Sequence, residues 1–284
     1  MNVTLIKPIA HCFGVIHAIS LAKKVREENK DKNIYIFGSL VHNESVINEL
    51  KQLGIISLEI NKENAIAQLN KFSNQDIVIF SAHGHDEKYE EILKNKGVTF
   101  FDATCEKVKK AFEYIKEAEE VIYIGKYNHP EANAAMTMND NCYFYDINGT
   151  FDYSKIKGKT PIVINQTTLS FLELKNIHDE VLNKLPQARI IDEICDATLL
   201  RQKAILNIKD DVDLVLVVGS KKSSNTQKLY EVAKSEHINK EVKLIENIND
   251  LFDLSKKYNH AVIASGTSTP MDIIMKIKEY LEEK

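Results

Sequence analysis

The sequence predicts an α/β protein built as three similar modules, each with a mainly parallel four-stranded sheet, packed around a shared centre. Three observations predict it. Short β-branched runs of the buried parallel type recur four to each third of the chain. Helix-period stretches separate most of them, which is the alternation of an α/β fold. No Pro-, Gly- or Ser-rich linker interrupts the series, so the modules pack tightly.

In the first third the strand-like runs are 3–6, 34–38, 55–60 and 77–81. The second third has 98–102, 121–125, 142–146 and 161–165, and the last has 189–193, 213–219, 242–246 and 261–265. Amphipathic stretches follow the first run of each third, at 14–29, 106–118 and 196–209, and a last helix is expected over 271–282. The repeat is one of pattern, not of letters. It divides the chain into modules 1–97, 98–188 and 189–284.

Composition narrows the function. A chain of 284 residues with 44% apolar residues can bury a proper core, and 37 basic against 41 acidic residues give a net charge of −4. Nothing in that balance calls for a nucleic-acid partner or an anionic membrane surface. No apolar run approaches a membrane span, and the N-terminus reads as a strand with no signal-peptide pattern. The expected compartment is cytoplasmic, where thiols stay reduced and serve as packing residues or ligands.

The four cysteines are Cys12, Cys105, Cys142 and Cys195. Three of them follow the first strand of a module and open the next helix, 93 and 90 residues apart. A helix N-terminus favours thiolate, and three equivalent strand ends can converge on one point. Cys142 opens an edge-like aromatic strand and reads as structural. Ligands in open α/β sheets bind beyond the carboxyl ends of the strands. Those ends carry His42, His83, His129-Pro130-Glu131, Gln166-Thr167-Thr168, Ser223-Ser224-Asn225 and Ser265-Gly266-Thr267-Ser268. Each loop alone is ordinary turn chemistry. Six of them beside three thiols make a candidate site.

Three thiolates suit either a zinc ion with a water ligand or an iron–sulfur cluster. Zinc sites usually draw on a close pair such as C-x-x-C, and none is present. A cubane, by contrast, can offer separate corners to separate modules, and three ligands leave one iron open as a Lewis acid. The Ser223-Ser224-Asn225 stretch, ahead of a helix expected near Thr226, can cradle phosphate with hydroxyls and backbone N–H groups. His42, His83 and Ser268 can complete that anion site. Lys221 and Lys222 lie beside it, either as further contacts or as solvated charges. Neither a Walker loop nor G-x-G-x-x-G appears.

The segments Val41-His42-Asn43, Phe80-Ser81-Ala82-His83-Gly84, Asp102-Ala103-Thr104-Cys105 and His129-Pro130-Glu131 resemble those of the 4-hydroxy-3-methylbut-2-enyl diphosphate reductase family. So do Gln166-Thr167-Thr168, Ile194-Cys195-Asp196-Ala197-Thr198 with Arg201-Gln202, Val218-Gly219-Ser220-Lys221 with Ser223-Ser224-Asn225, and the Ser268 loop before Pro270. They run in family order across essentially the whole chain. The resemblance implies a trefoil of three modules with one [4Fe–4S] cluster on Cys12, Cys105 and Cys195. It implies a diphosphate site at His42, His83, His129, Ser223, Ser224, Asn225 and Ser268, with Glu131 and Thr167 handling the substrate hydroxyl. The implied reaction reductively dehydroxylates (E)-4-hydroxy-3-methylbut-2-enyl diphosphate to isopentenyl and dimethylallyl diphosphate, closing the methylerythritol phosphate pathway. Glu131, Thr167 and His129 form its catalytic set. Electrons come from an outside donor such as ferredoxin or flavodoxin, since no flavin or nicotinamide motif is visible.

The chain departs from the family around the first cysteine. Glycine-phenylalanine-cysteine is usual there, with an arginine five residues on; this chain has Ala10-His11-Cys12-Phe13-Gly14 and His17. Glu106 replaces a proline after the second cysteine, and Ala132-Asn133-Ala134 stands where valine and glycine are common. These changes alter the cluster's surroundings. A reductase paralogue with another substrate, a zinc hydrolase and a cluster-bearing redox sensor therefore stay open as alternatives. Some relatives carry a fused RNA-binding domain, for which this chain is expected to have no room.

Overall fold

The computed structural model of the chain describes residues 1–158, 160–251 and 258–283. In chain order the elements begin β1 (Asn2–Leu5), α1 (Phe13–Glu28), β2 (Asn33–Phe37), α2 (Glu44–Gln52), β3 (Ile55–Leu58), α3 (Ala65–Leu69), β4 (Asp76–Phe80), α4 (Glu87–Asn95) and β5 (Thr99–Asp102). They continue with α5 (Glu106–Glu117), β6 (Val121–Gly125), α6 (Pro130–Ala135), β7 (Cys142–Asp146), β8 (Ile162–Asn165), α7 (Phe171–Lys184) and β9 (Arg189–Ile191). The last are α8 (Asp196–Leu206), β10 (Leu214–Val218), α9 (Ser224–Glu236), β11 (Glu241–Ile245), β12 (His260–Ser265) and α10 (Met271–Glu283).

The strands form three four-stranded sheets, β3-β2-β4-β5, β7-β6-β8-β9 and β11-β10-β12-β1, and every ladder between them is parallel. The central strands β4, β6, β8 and β10 are buried along their whole length, which is why they read as unbroken apolar runs such as Leu214-Val215-Leu216-Val217-Val218. Edge strands β1, β5 and β9 are only partly buried.

The fold class is the one expected, but the modules are offset by one strand from 1–97, 98–188 and 189–284. Each segment's first strand belongs to the preceding sheet: β5 pairs with β4, β9 with β8, and β1 closes the ring on β12, from Asn2 opposite His260 to Leu5 opposite Ile263. The following helix belongs to the next unit. Thus α1 packs Val15, Ala18, Ile19, Ala22 and Val25 on β2 and β4, and α5 packs Val108, Ala111, Phe112 and Ile115 on β6 and β8. Chain order alone groups a strand with the helix that follows it. Edge pairing groups it with the sheet it extends.

Cys142 opens edge strand β7, as expected. It is buried, its thiol donates to Met136 Sδ at 3.6 Å, and burial pushes its pKa up to about 12. Among the described residues no helix is long and apolar enough to cross a membrane.

The turn between β1 and α1 holds Ala10 at φ 62°, in the left-handed region where a Cβ is penalised. That position is the one where the family usually has glycine. Ala10→Gly should therefore raise stability by about 1 kcal/mol, the left-handed penalty less glycine's extra unfolded-state entropy. Urea denaturation measures this; an unchanged or lower midpoint would show that the turn is not strained.

Candidate active site

The three joints at which the chain passes from one sheet to the next unit's helix each carry a cysteine. Cys12, Cys105 and Cys195 are the N-cap residues of α1, α5 and α8. Each is tied to its sheet in the same way. The Cys12 N–H donates to the Thr267 carbonyl at 3.0 Å, Cys105 N–H to Ala82 at 3.1 Å and Cys195 N–H to Thr167 at 2.9 Å. The acceptors lie in the loops after β12, β4 and β8, the strands beside β1, β5 and β9. The same register, repeated three times, brings three sulfurs to one cavity.

That cavity is lined by all twelve residues singled out from the sequence: Cys12, His42, His83, Cys105, His129, Glu131, Thr167, Cys195, Ser223, Ser224, Asn225 and Ser268. Cys142 is not among them. The lining also includes Thr168, Thr198 and Thr267, which belong to segments the sequence singled out without giving them a role of their own, together with Gly14 and with Lys107, which sequence reasoning missed. Gly14 has a specific reason to be there. A Cβ on it would lie 2.7 Å from Cys105 Sγ, so only glycine lets this sulfur approach the first turn of α1. Its signal was its place two residues after Cys12.

The thiols sense one another: Cys12 raises the pKa of Cys105, and Cys12 and Cys105 raise that of Cys195. The expected helix-end activation is present but outweighed. Burial pushes both Cys105 and Cys195 up, while the N–H groups of Lys107 and Val108, and of Ala197 and Thr198, pull the other way. Among the described residues no three His, Cys, Asp or Glu groups stand close enough to hold a single metal ion. Three converging soft donors spaced too widely for one ion, with a glycine cradle beside them, fit a polynuclear cluster better than zinc.

Glu131 is buried in the first turn of α6. The Thr167 N–H donates to its Oε1 at 2.7 Å, the Thr167 hydroxyl to Oε2 at 2.8 Å, and the Tyr123 hydroxyl to Oε1 at 3.4 Å. Burial nevertheless raises its pKa to about 7, against the pull of those bonds. Tyr123 was legible only as an apolar strand residue. His129 caps α6, accepting the Glu131 N–H on Nδ1 at 3.2 Å, which assigns the proton of the neutral ring to Nε2. Pro130 at the first helical position leaves no orphan N–H there.

His42, His83 and His129 form a ring cluster, with centroids 4.5 Å apart for His42–His83, 5.7 Å for His83–His129 and 6.0 Å for His42–His129. Burial, then mutual repulsion, lowers His83 and His129, the latter to about 3; burial and Lys222 lower His42. Opposite them stands the start of α9, at Ser224 and not near Thr226, with Ser223 as its N-cap. Asn225 donates to Thr198 Oγ1 at 2.8 Å and accepts the Thr267 N–H at 2.9 Å. Ser224 Oγ receives Gln166 Nε2 and Thr168 Oγ1, each at 3.2 Å, and Ser268 Oγ donates to the His42 carbonyl at 3.2 Å. Lys221 and Lys222 face carboxylates instead, Glu246 at 3.8 Å and Glu44 at 2.8 Å.

Comparison with known proteins gives the same picture. The family model described as LytB protein matches residues 3–282. A curated 4-hydroxy-3-methylbut-2-enyl diphosphate reductase of Symbiobacterium thermophilum is 35% identical, covering 100% of this chain and 97% of that one. Another, of Malacoplasma penetrans, is 34% identical, covering 100% and 98%. Among solved structures, the E-1-hydroxy-2-methyl-but-2-enyl-4-diphosphate reductase from Plasmodium falciparum superposes with a TM-score of 0.88 at 31% identity, covering 99% of this chain and 87% of that one. A structure described as (E)-4-hydroxy-3-methyl-but-2-enyl diphosphate reductase, the terminal enzyme of the non-mevalonate pathway, gives 0.70 at 28% identity, with 100% of both chains covered.

Three neutral histidines in one pocket should become protonated when an anion enters, because the anion reverses the balance that lowers their pKa values. Pyrophosphate binding should therefore take up protons and tighten as pH falls from 8 to 6. Calorimetry in buffers of different ionisation enthalpy reads the uptake, after subtraction of the ligand's own protonation. Uptake of no protons would mean that the anion sits away from the histidines.

Proposed function

The chain belongs to the LytB protein family, and from that premise we propose that it reductively dehydroxylates (E)-4-hydroxy-3-methylbut-2-enyl diphosphate. Two electrons and two protons enter, water leaves, and isopentenyl and dimethylallyl diphosphate form. The observation that carries the reading is the meeting, in one cavity, of three cysteine sulfurs, a three-histidine cluster, a helix N-terminus and a buried protonatable Glu131. Family membership implies an iron–sulfur cluster, and Cys12, Cys105 and Cys195 would hold it. As a [4Fe–4S] cluster with three cysteine ligands it supplies electrons and one open, Lewis-acidic iron.

The chain's own residues divide the remaining work. Ser223, Ser224 and Asn225 at the start of α9, with His42, His83, His129 and Ser268, bind the diphosphate. That binding energy is remote from the reacting carbon and holds the hydroxyl in place. Hydroxide is a poor leaving group, so a proton must reach the oxygen as the C–O bond breaks. Glu131, with a pKa of about 7, is protonated in about half the molecules at neutral pH, where an ordinary carboxyl is ionised. Thr167 lines the cavity beside it and donates its hydroxyl to Oε2 at 2.8 Å. Electrons arrive from an external carrier such as ferredoxin or flavodoxin.

Anaerobically prepared protein should hold about four irons and four sulfides per chain. Serine at Cys12, Cys105 or Cys195 should lose or degrade the cluster, and Cys142→Ser should keep it. Colourless protein holding stoichiometric zinc would refute the cluster. Glu131→Gln should keep the cluster and bind substrate nearly normally while turnover falls at least ~10²-fold, the usual loss for a general acid. Turnover within a few-fold of the parent would assign the proton to water or to a substrate phosphate instead.

A further inference from the structure

Arg201, on α8 beyond Cys195, is 4% exposed, and its side chain reaches three segments at once. Its Nε donates to the Ser265 carbonyl at 3.1 Å, Nη1 to Ala197 at 2.8 Å and Nη2 to Ala10 at 2.6 Å. All three acceptors are neutral. Among the described residues no carboxylate makes an ion pair with it, and the charges that act on it are those of Cys12 and Cys195. A buried cation without a counter-ion costs several kcal/mol. A guanidinium kept in this position therefore calls for an anion, and the sulfur side of the cavity is where one can form.

The grip is also specific in position. Ala10 is the left-handed residue two before Cys12; its N–H donates to Ser265 Oγ at 2.8 Å, and its carbonyl takes the shortest of the Arg201 bonds. Ala197 is two residues beyond Cys195, and Ser265 ends β12, the strand that pairs with β1. One side chain thus ties the loop before Cys12 to the helix after Cys195. At the equivalent places in α1 and α5, six residues after Cys12 and Cys105, stand Ala18 and Ala111. Neither of those places carries a cation, and Lys107 after Cys105 is paired with Glu193 at 2.9 Å.

We propose that Arg201 is the positioning residue of the thiol centre, clamping the Cys12 loop to the Cys195 helix and supplying the buried positive charge that balances the anionic sulfur site. The charge role rests on the cluster reading above. A fixed cation beside the site favours its more reduced, more negative state, so it raises the reduction potential.

Arg201→Lys keeps the charge and loses the three-way grip; Arg201→Met keeps the length and loses both. Arg201→Lys, which keeps the charge, should melt below the parent as cluster-free protein. After anaerobic loading, EPR-monitored titration should find the Lys variant at the parent potential and the Met variant more negative. A cluster-free Lys variant that melts like the parent would overturn the clamp, and a loaded Met variant at the parent potential would overturn the charge role. If the Met variant fails to load, a displaced potential in the Lys variant overturns the charge role and a parental one supports it. A parent that takes up no iron refutes the cluster reading alone. The charge role is then decided by iodoacetamide alkylation of Cys12 and Cys195 in cluster-free protein: slower in the Met variant if it holds, equal if it does not.

Discussion

The structure depends on how the chain leaves one sheet and enters the next unit. At each of three joints an edge strand finishes one parallel sheet, and the residue capping the next helix is a cysteine. Edge pairing fixes the strand, and apolar packing of the helix on the following sheet fixes the other side. The cysteine has little freedom between the two, and its N–H is bound to the loop of the neighbouring strand. A cofactor site built this way is as rigid as the sheets. Its three cysteines come from chain segments far apart in the sequence.

The same geometry sets the electrostatics. Burial drives the cavity's histidines, Glu131, Cys105 and Cys195 toward their neutral forms, whereas Glu193 holds Lys107 charged against burial. Histidines fall below their ordinary range, the buried Glu131 rises to about 7, and the thiols of Cys105 and Cys195 rise. Arg201, beside the Cys12 loop and on the Cys195 helix, hydrogen bonds to neutral carbonyls alone. Such a pocket is primed for anions. On the proposed function, a diphosphate would meet donors that gain protons on its arrival, and an anionic sulfur centre would meet a cation already in place.

Much of this was legible in the sequence, for identifiable reasons. Fully buried parallel strands are mostly apolar, so their positions could be read to within a residue or two, as in 121–125 for β6 and 161–165 for β8. The polar strand-end loops stood out against that background, and the cavity gathers them. Sheet membership was not legible, because hydrogen bonding between edges leaves no mark on residue type; β1, β5 and β9 were grouped with the helices that follow them. Gly14 and Tyr123 escaped for a related reason. Their roles are contacts with residues distant in sequence, Cys105 and Glu131, and a glycine or a strand tyrosine looks the same with or without such a contact. Ala10 is the opposite case, since a substitution noticed in the sequence acquires its meaning from a backbone angle.

The repeat is symmetric in its scaffold and asymmetric in its lining, and function requires both. The carbonyls that anchor the cysteine N–H groups belong to equivalent residues, Ala82, Thr167 and Thr267. Their side chains and those that follow differ: His83 in one unit, Thr167 hydrogen-bonded to Glu131 in the second, Ser268 bonded to the His42 carbonyl in the third. Three equal ligands suit a cluster whose corners are alike. The proposed substrate, with a charged end and a leaving hydroxyl, would need the walls to be unlike, with anion donors where α9 begins and a proton source where α6 begins. Three copies of one α/β unit supply the first condition by construction. The second is met by varying only the loop residues at the strand ends, where substitution leaves the apolar strands and their packing untouched.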